Sequence, residues 1–83
     1  MTARRPLSGE TGSILQINPS SPGGTVTVPV NGSNDDFVYH EAYTDGQFVF
    51  DPFVSPNPIP EADYLNMITQ LNPGVIITTN KPS

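Results

Sequence analysis

The run Phe37-Val38-Tyr39-His40-Glu41-Ala42-Tyr43-Thr44-Asp45-Gly46-Gln47-Phe48-Val49-Phe50-Asp51 decides the fold. Two stretches rich in β-branched and aromatic residues flank Asp45-Gly46, a dipeptide suited to a type I′ turn, whose central residues both need positive φ. An antiparallel hairpin is predicted here. With Asp45 and Gly46 as its loop, Thr44 faces Gln47, Tyr43 faces Phe48, Ala42 faces Val49, Glu41 faces Phe50 and His40 faces Asp51. Directly opposed residues share a face with Cβ atoms about 4.5–5.5 Å apart, within reach of an imidazole–carboxylate hydrogen bond. The other face would carry Tyr39, Glu41, Tyr43, Phe48 and Phe50, an aromatic surface expected to pack on a helix. Val38, Ala42 and Val49, beside His40, are small and leave room for another element or a ligand.

Upstream, Ile14-Leu15-Gln16-Ile17 reads as one short strand, followed by turn formers from Asn18 to Gly24. Thr25-Val26-Thr27-Val28-Pro29-Val30 alternates with period two, placing its valines on one face. Pro29 cannot donate to a ladder, so this strand belongs at a sheet edge. Asn31 to Asp36 reads as a polar loop, and the polar start, residues 1–12, as a flexible arm before a small β-rich domain at 13–83.

Downstream, the four prolines between Pro52 and Pro60 describe an extended crossing. Pro60-Glu61-Ala62-Asp63 then opens a helix, with Pro in the first turn and acids at the positive end of its dipole. Tyr64, Leu65, Ile68 and Leu71 form its apolar stripe, and Asn72-Pro73-Gly74 stops it. Val75 to Thr79 reads as a last strand. The expected class is α+β and β-dominated: an antiparallel sheet of three to five strands, with a central hairpin and one helix packed on it.

Eighty-three residues bound the chain to one thin core, since a domain near this size buries only about 60% of its unfolded surface. Net charge is −5, and the three cations, Arg4, Arg5 and Lys81, sit at the two ends. Nucleic-acid binding, which relies on cations against phosphates, is not expected, nor is binding to an anionic membrane. No apolar run approaches the roughly 18–20 residues of a membrane span, and no apolar stretch of a signal peptide follows Arg5. The chain is expected to be soluble. With one His and no Cys, neither a structural zinc site nor another cofactor is expected. Asp35 and Asp36, with Asn31 and Asn34, lack calcium-loop spacing and read as a solvated turn.

His40 beside Asp51 is the candidate site. A carboxylate that orients an imidazole supplies the base half of a catalytic triad, leaving the other ring nitrogen to take a proton from a nucleophile. No Ser stands where a nucleophile elbow needs it, and there is no Cys. The plain alternative is a surface ion pair worth about 0–1 kcal/mol.

Tyr39 to Asp51, continued by Pro60-Glu61-Ala62-Asp63-Tyr64-Leu65, resembles the second half of papain-fold toxin domains from bacterial polymorphic toxin systems. That half has a strand opening with the catalytic His, a tight Gly-containing turn, a strand ending in Asp or Asn, then a loop and a helix carrying an acid–aromatic–Leu element. The resemblance covers residues 37–71. It implies that His40 is the general base and Asp51 its orienting partner in a cysteine peptidase or glutamine deamidase. The family also places a Cys at the start of a helix upstream of the His, and residues 1–36 hold neither. The resemblance therefore implies no activity from this chain alone, with a Cys-bearing segment, a substrate protein or a cognate binder as partner. The alternatives are a small acidic protein-binding module, such as an inhibitor or accessory subunit, and a structural piece of a phage or secretion assembly. In those readings the strand at Pro29 or that at Val75 to Thr79 would pair through its edge with a partner or a second copy.

Overall fold

The computed structural model describes residues 12–80. Most of the expected arm, together with Arg4, Arg5 and Lys81, lies outside them. Seven strands and one helix follow in order: β1 (Ser13–Asn18), β2 (Val26–Val30), β3 (Ser33–Phe37), β4 (His40–Thr44), β5 (Phe48–Phe50), β6 (Ile59–Pro60), α1 (Glu61–Leu71) and β7 (Ile76–Asn80). The class is the expected one, β-dominated with a single helix among the described residues. Five strands form an antiparallel sheet in the order β6-β5-β4-β1-β7, and β2 and β3 form a separate two-stranded sheet.

The hairpin strand β4 is central to the larger sheet, with β1 on one side and β5 on the other. β1 pairs Leu15 with Ala42 and Ile17 with His40, while its other edge pairs Leu15 with Thr79 and Ile17 with Ile77. Leu15 and Ile17 are buried, so the short apolar run at the start of the chain becomes the strand that joins the hairpin to the end of the chain.

Residues 31–36 are not the expected polar loop. Only Asn31 and Gly32 turn, with φ of 52° and 83°, and Ser33–Phe37 forms β3 against β2. Asn-Gly with both φ positive is the type I′ hairpin signal, here hidden by the acidic strand that follows. Asp35 and Asp36 are exposed strand residues rather than a turn, and the Asp36 carboxylate accepts a bond from the Thr27 hydroxyl. Pro29 sits in this small sheet opposite Asn34, away from the five-stranded one.

α1 packs its buried Tyr64 and Ile68 on a core of Leu15, Ile17, Val26, Val28, Ala42 and Val49, with Leu65 and Met67 partly buried beside them. Both its ends are tied to strands. At the start, the Glu61 amide donates to the Gln47 carbonyl at 2.9 Å, and the Glu61 carboxylate lies 2.7 Å from the Thr44 hydroxyl. At the end, the Asn72 side chain bonds both backbone groups of Thr27 in β2. The crossing from Pro52 to Pro60 is more structured than expected: the amides of Val54 and Ser55 close a turn on the Asp51 carbonyl, and Ile59–Pro60 adds a short strand to β5. No helix among the described residues is long and apolar enough to cross a membrane.

Candidate functional site

The hairpin forms, but in another register. Tyr43 pairs with Phe50 and Thr44 with Val49. The shift arises at Asp45, whose carboxylate accepts the amides of Gln47 and Phe48, both at 2.9 Å, while its own amide donates to the Phe48 carbonyl. These amides hold the Asp45 carboxyl below its ordinary range. The turn therefore falls on Gly46-Gln47, with Gly46 at φ 98°, instead of Asp45-Gly46. Glycine at the first central position suits a two-residue hairpin turn as well as Asp-Gly does.

Direct opposition of His40 and Asp51 is thus corrected. Continued along the strands, the observed register sets Ala42 opposite Asp51 and leaves His40 two positions further along the same face. An even shift preserves the face, and a diagonal separation of about 7–8 Å is bridged by a long side chain. His40 Nε2 lies 2.7 Å from Asp51 Oδ2.

The buried face is also the opposite of the one expected. His40, Ala42 and Thr44 point into the core, whereas Tyr39, Glu41 and Phe48 are exposed and Tyr43 and Phe50 half-buried. The helix packs on the His40 side. The rings of Tyr43 and Phe50 meet at a tilt, centroids 5.8 Å apart, outside that core, and Glu41 meets Gln16 at the surface. The room left by small neighbours is filled by other elements of the chain: Phe37 from β3 and Phe53 from the loop after β5 flank the imidazole at 5.5 and 5.7 Å.

His40 and Asp51 are only 6% and 3% exposed, which overturns the surface ion pair. The Asp51 carboxylate collects donors from three elements. Oδ2 accepts from His40 and from the Tyr64 phenol, both at 2.7 Å, and Oδ1 accepts the Phe53 amide at 3.2 Å. Burial pushes the Asp51 carboxyl up. The bonds from His40 and Tyr64, the charge of His40 and the Phe53 amide outweigh it and hold the group below the carboxylate range. Burial and the adjacent carboxylate together push the Tyr64 phenol up, keeping it neutral.

An ionised carboxylate only accepts, so His40 must donate from Nε2. In the neutral ring, Nδ1 then carries the lone pair. No group among the described residues bonds to Nδ1, and none of their fully buried side-chain polar atoms lacks a partner, so Nδ1 keeps contact with the surface. Phe53, whose ring flanks the imidazole, is more than half exposed.

Tyr64, Phe37 and Phe53 were absent from the sequence-derived site. Tyr64 was legible only as core, although a buried phenol needs a hydrogen-bond partner. Nothing local marks Phe37 or Phe53. A cleft of about 140 Å³ beside the loop is lined by Phe50, Asp51, Ser55, Asn57 and three prolines, and does not include His40. No cluster of three potential metal ligands occurs among the described residues.

No family model matches the chain, and neither the curated proteins nor the solved structures contain a significant match.

Proposed function

We propose that His40 and Asp51 form the base and orienting partner of a papain-like acyl-transfer centre, with the thiol supplied by another segment or chain. The substrate is an amide, cleaved as a peptide bond or deamidated at glutamine. The observation that carries this reading is the buried Nε2–Oδ2 contact of 2.7 Å combined with an Nδ1 that no described group occupies and that is not fully sealed from the surface.

Burying a carboxylate and an imidazole together is a poor device for stability, because desolvation offsets most of their attraction. An imidazole held by a carboxylate, with its second nitrogen open, is instead the arrangement that accepts and returns a proton. Nδ1 would take the proton of the thiol, and the thiolate would add to the carbonyl carbon. The imidazolium would return that proton to the departing amine or ammonia, leaving a thioester. Water, deprotonated at the same nitrogen, would then hydrolyse the thioester. The exposed Phe53 ring beside the imidazole, with exposed Val38 two positions before His40, offers the completing element an apolar surface.

The test is acyl transfer from an activated ester to 2-mercaptoethanol, which stands in for the missing thiol. The chain should exceed an equal concentration of free imidazole, and the excess should vanish in His40→Ala and in Asp51→Asn. Rates no higher than free imidazole would remove the reading.

The alternative, a small acidic binding module, draws on one observation. β7 is the outer strand of the larger sheet among the described residues, and Ile76–Asn80 contains none of the charges or prolines that blunt an edge. Its mark is tight binding of a protein partner that survives His40→Ala and is lost when Thr78 is replaced by proline.

A further inference from the structure

We propose that Tyr64 is a positioning residue of the same centre: its phenol fixes the Asp51 carboxylate in the orientation that His40 meets and keeps it an acceptor. This rests on the acyl-transfer reading of His40 and Asp51.

Three donors converge on the two oxygens of Asp51, and two of them share Oδ2. The backbone amide of Phe53 can only donate, so Oδ1 is committed to accepting. A proton on Oδ2 would face two groups that already donate to it, and one of them would have to reverse its role. Tyr64 is fully buried, so bulk solvent cannot replace a partner it loses. Its phenol therefore acts as a fixed donor that resists protonation of the carboxylate.

The helix makes that donor rigid. Tyr64 stands one turn from Glu61, whose amide and carboxylate meet the hairpin, and Asn72 anchors the far end of the helix to Thr27. The phenol cannot follow a carboxylate that rotates away. His40 therefore meets one orientation of Asp51, and its Nε2 keeps the proton while Nδ1 stays free to accept. The titratable groups facing Asp51 are His40 from β4 and Tyr64 from α1; the loop after β5 adds only the Phe53 amide. An apolar ring at position 64 would fill the same space but take a charge-assisted donor from Asp51, so the hydroxyl is the informative atom.

The experiment is Tyr64→Phe in the full chain, which keeps the ring and removes the donor. The pH midpoint of the Asp51 carboxyl is read by carbon NMR, and the acid limb of the thiol-transfer rate is read in parallel. Both should rise by about one pH unit or more, the size expected when a carboxylate loses a charge-assisted hydrogen bond. Ile68→Val weakens the same helix and should leave both midpoints in place. If Tyr64→Phe does not fold, 3,5-difluorotyrosine at position 64, a stronger donor of nearly the same size, should lower the Asp51 midpoint. An Asp51 midpoint that ignores these changes, or that follows Ile68→Val equally, overturns the proposal. A midpoint that moves as expected in a chain with no thiol-transfer activity supports the Tyr64–Asp51 coupling and refutes the catalytic reading, so the two failures are distinguishable.

Discussion

His40 and Asp51 meet diagonally across β4 and β5, with Nε2 and Oδ2 2.7 Å apart and both side chains inside the core. The two partners are unequal. Asp51 holds three donors, whereas His40 has only Asp51 among the described hydrogen-bonding groups.

Asp51→Ala should therefore be the more damaging truncation. It strands the Tyr64 hydroxyl and the imidazole in the core and should cost about 3–5 kcal/mol. His40→Ala leaves the carboxylate two donors and should cost about 1–3 kcal/mol. Urea unfolding of both variants checks the order, and a greater loss for His40→Ala would contradict the hub role of Asp51.

Stability should fall at both ends of the pH scale. The Asp51 carboxyl is held below its ordinary value of 3.8, so the unfolded chain takes up its proton first as pH drops. This contribution is complete above about pH 4 and is lost as pH falls through the lower folded value. The Tyr64 phenol is raised above its ordinary 10.0, so its contribution is complete below that value and is lost as pH rises through the folded one. Urea midpoints between acid and alkaline limits check both arms. The alkaline loss should shrink in Tyr64→Phe.

Asn72 links the helix to the small sheet. Its Oδ1 accepts the Thr27 amide at 2.7 Å, and its Nδ2 lies 2.9 Å from the carbonyls of Thr27 and Ile68. Asn72→Ala leaves the backbone groups of Thr27 without these partners and should cost about 1–3 kcal/mol by thermal unfolding. Asn72→Asp should recover little of this, because it would turn an oxygen toward two carbonyls.

Gly32→Ala should cost about 1–2 kcal/mol through backbone strain alone. Its φ is 83°, and a Cβ there meets no atom within 4 Å. Gly32→Asn, better suited to positive φ, should restore part of the loss in the same melt. Equal stability of all three forms would contradict the tight Asn31-Gly32 turn.

The helix was readable because its start, apolar stripe and stop are local signals that agree: Pro60 to Asp63, Tyr64 to Leu71, and Asn72-Pro73-Gly74. The hairpin was readable as a hairpin, since few turns other than one at Asp45 to Gln47 could join two such strands. Its register was not. The Asp45 carboxylate competes for the Gln47 and Phe48 amides, and that choice moves the bend by one residue and every cross-strand pair by two. β3 was missed because its exposed strand carries Asn and Asp instead of an apolar alternation, although Asn31-Gly32 announced the turn before it.

The order of residues alone settled that His40 and Asp51 share a face, because side chains alternate with period two and the register error was even. It also settled the helix and the absence of any thiol in this chain. Only the tertiary structure decided which face is buried, since both faces of the hairpin carry apolar residues and neither wins locally. That choice falls to the side where β1, the next strand of the sheet, supplies Leu15 and Ile17 and α1 lays Tyr64 and Ile68 over them. Packing between distant segments thus drew the imidazole and carboxylate out of water and gave Asp51 its third donor.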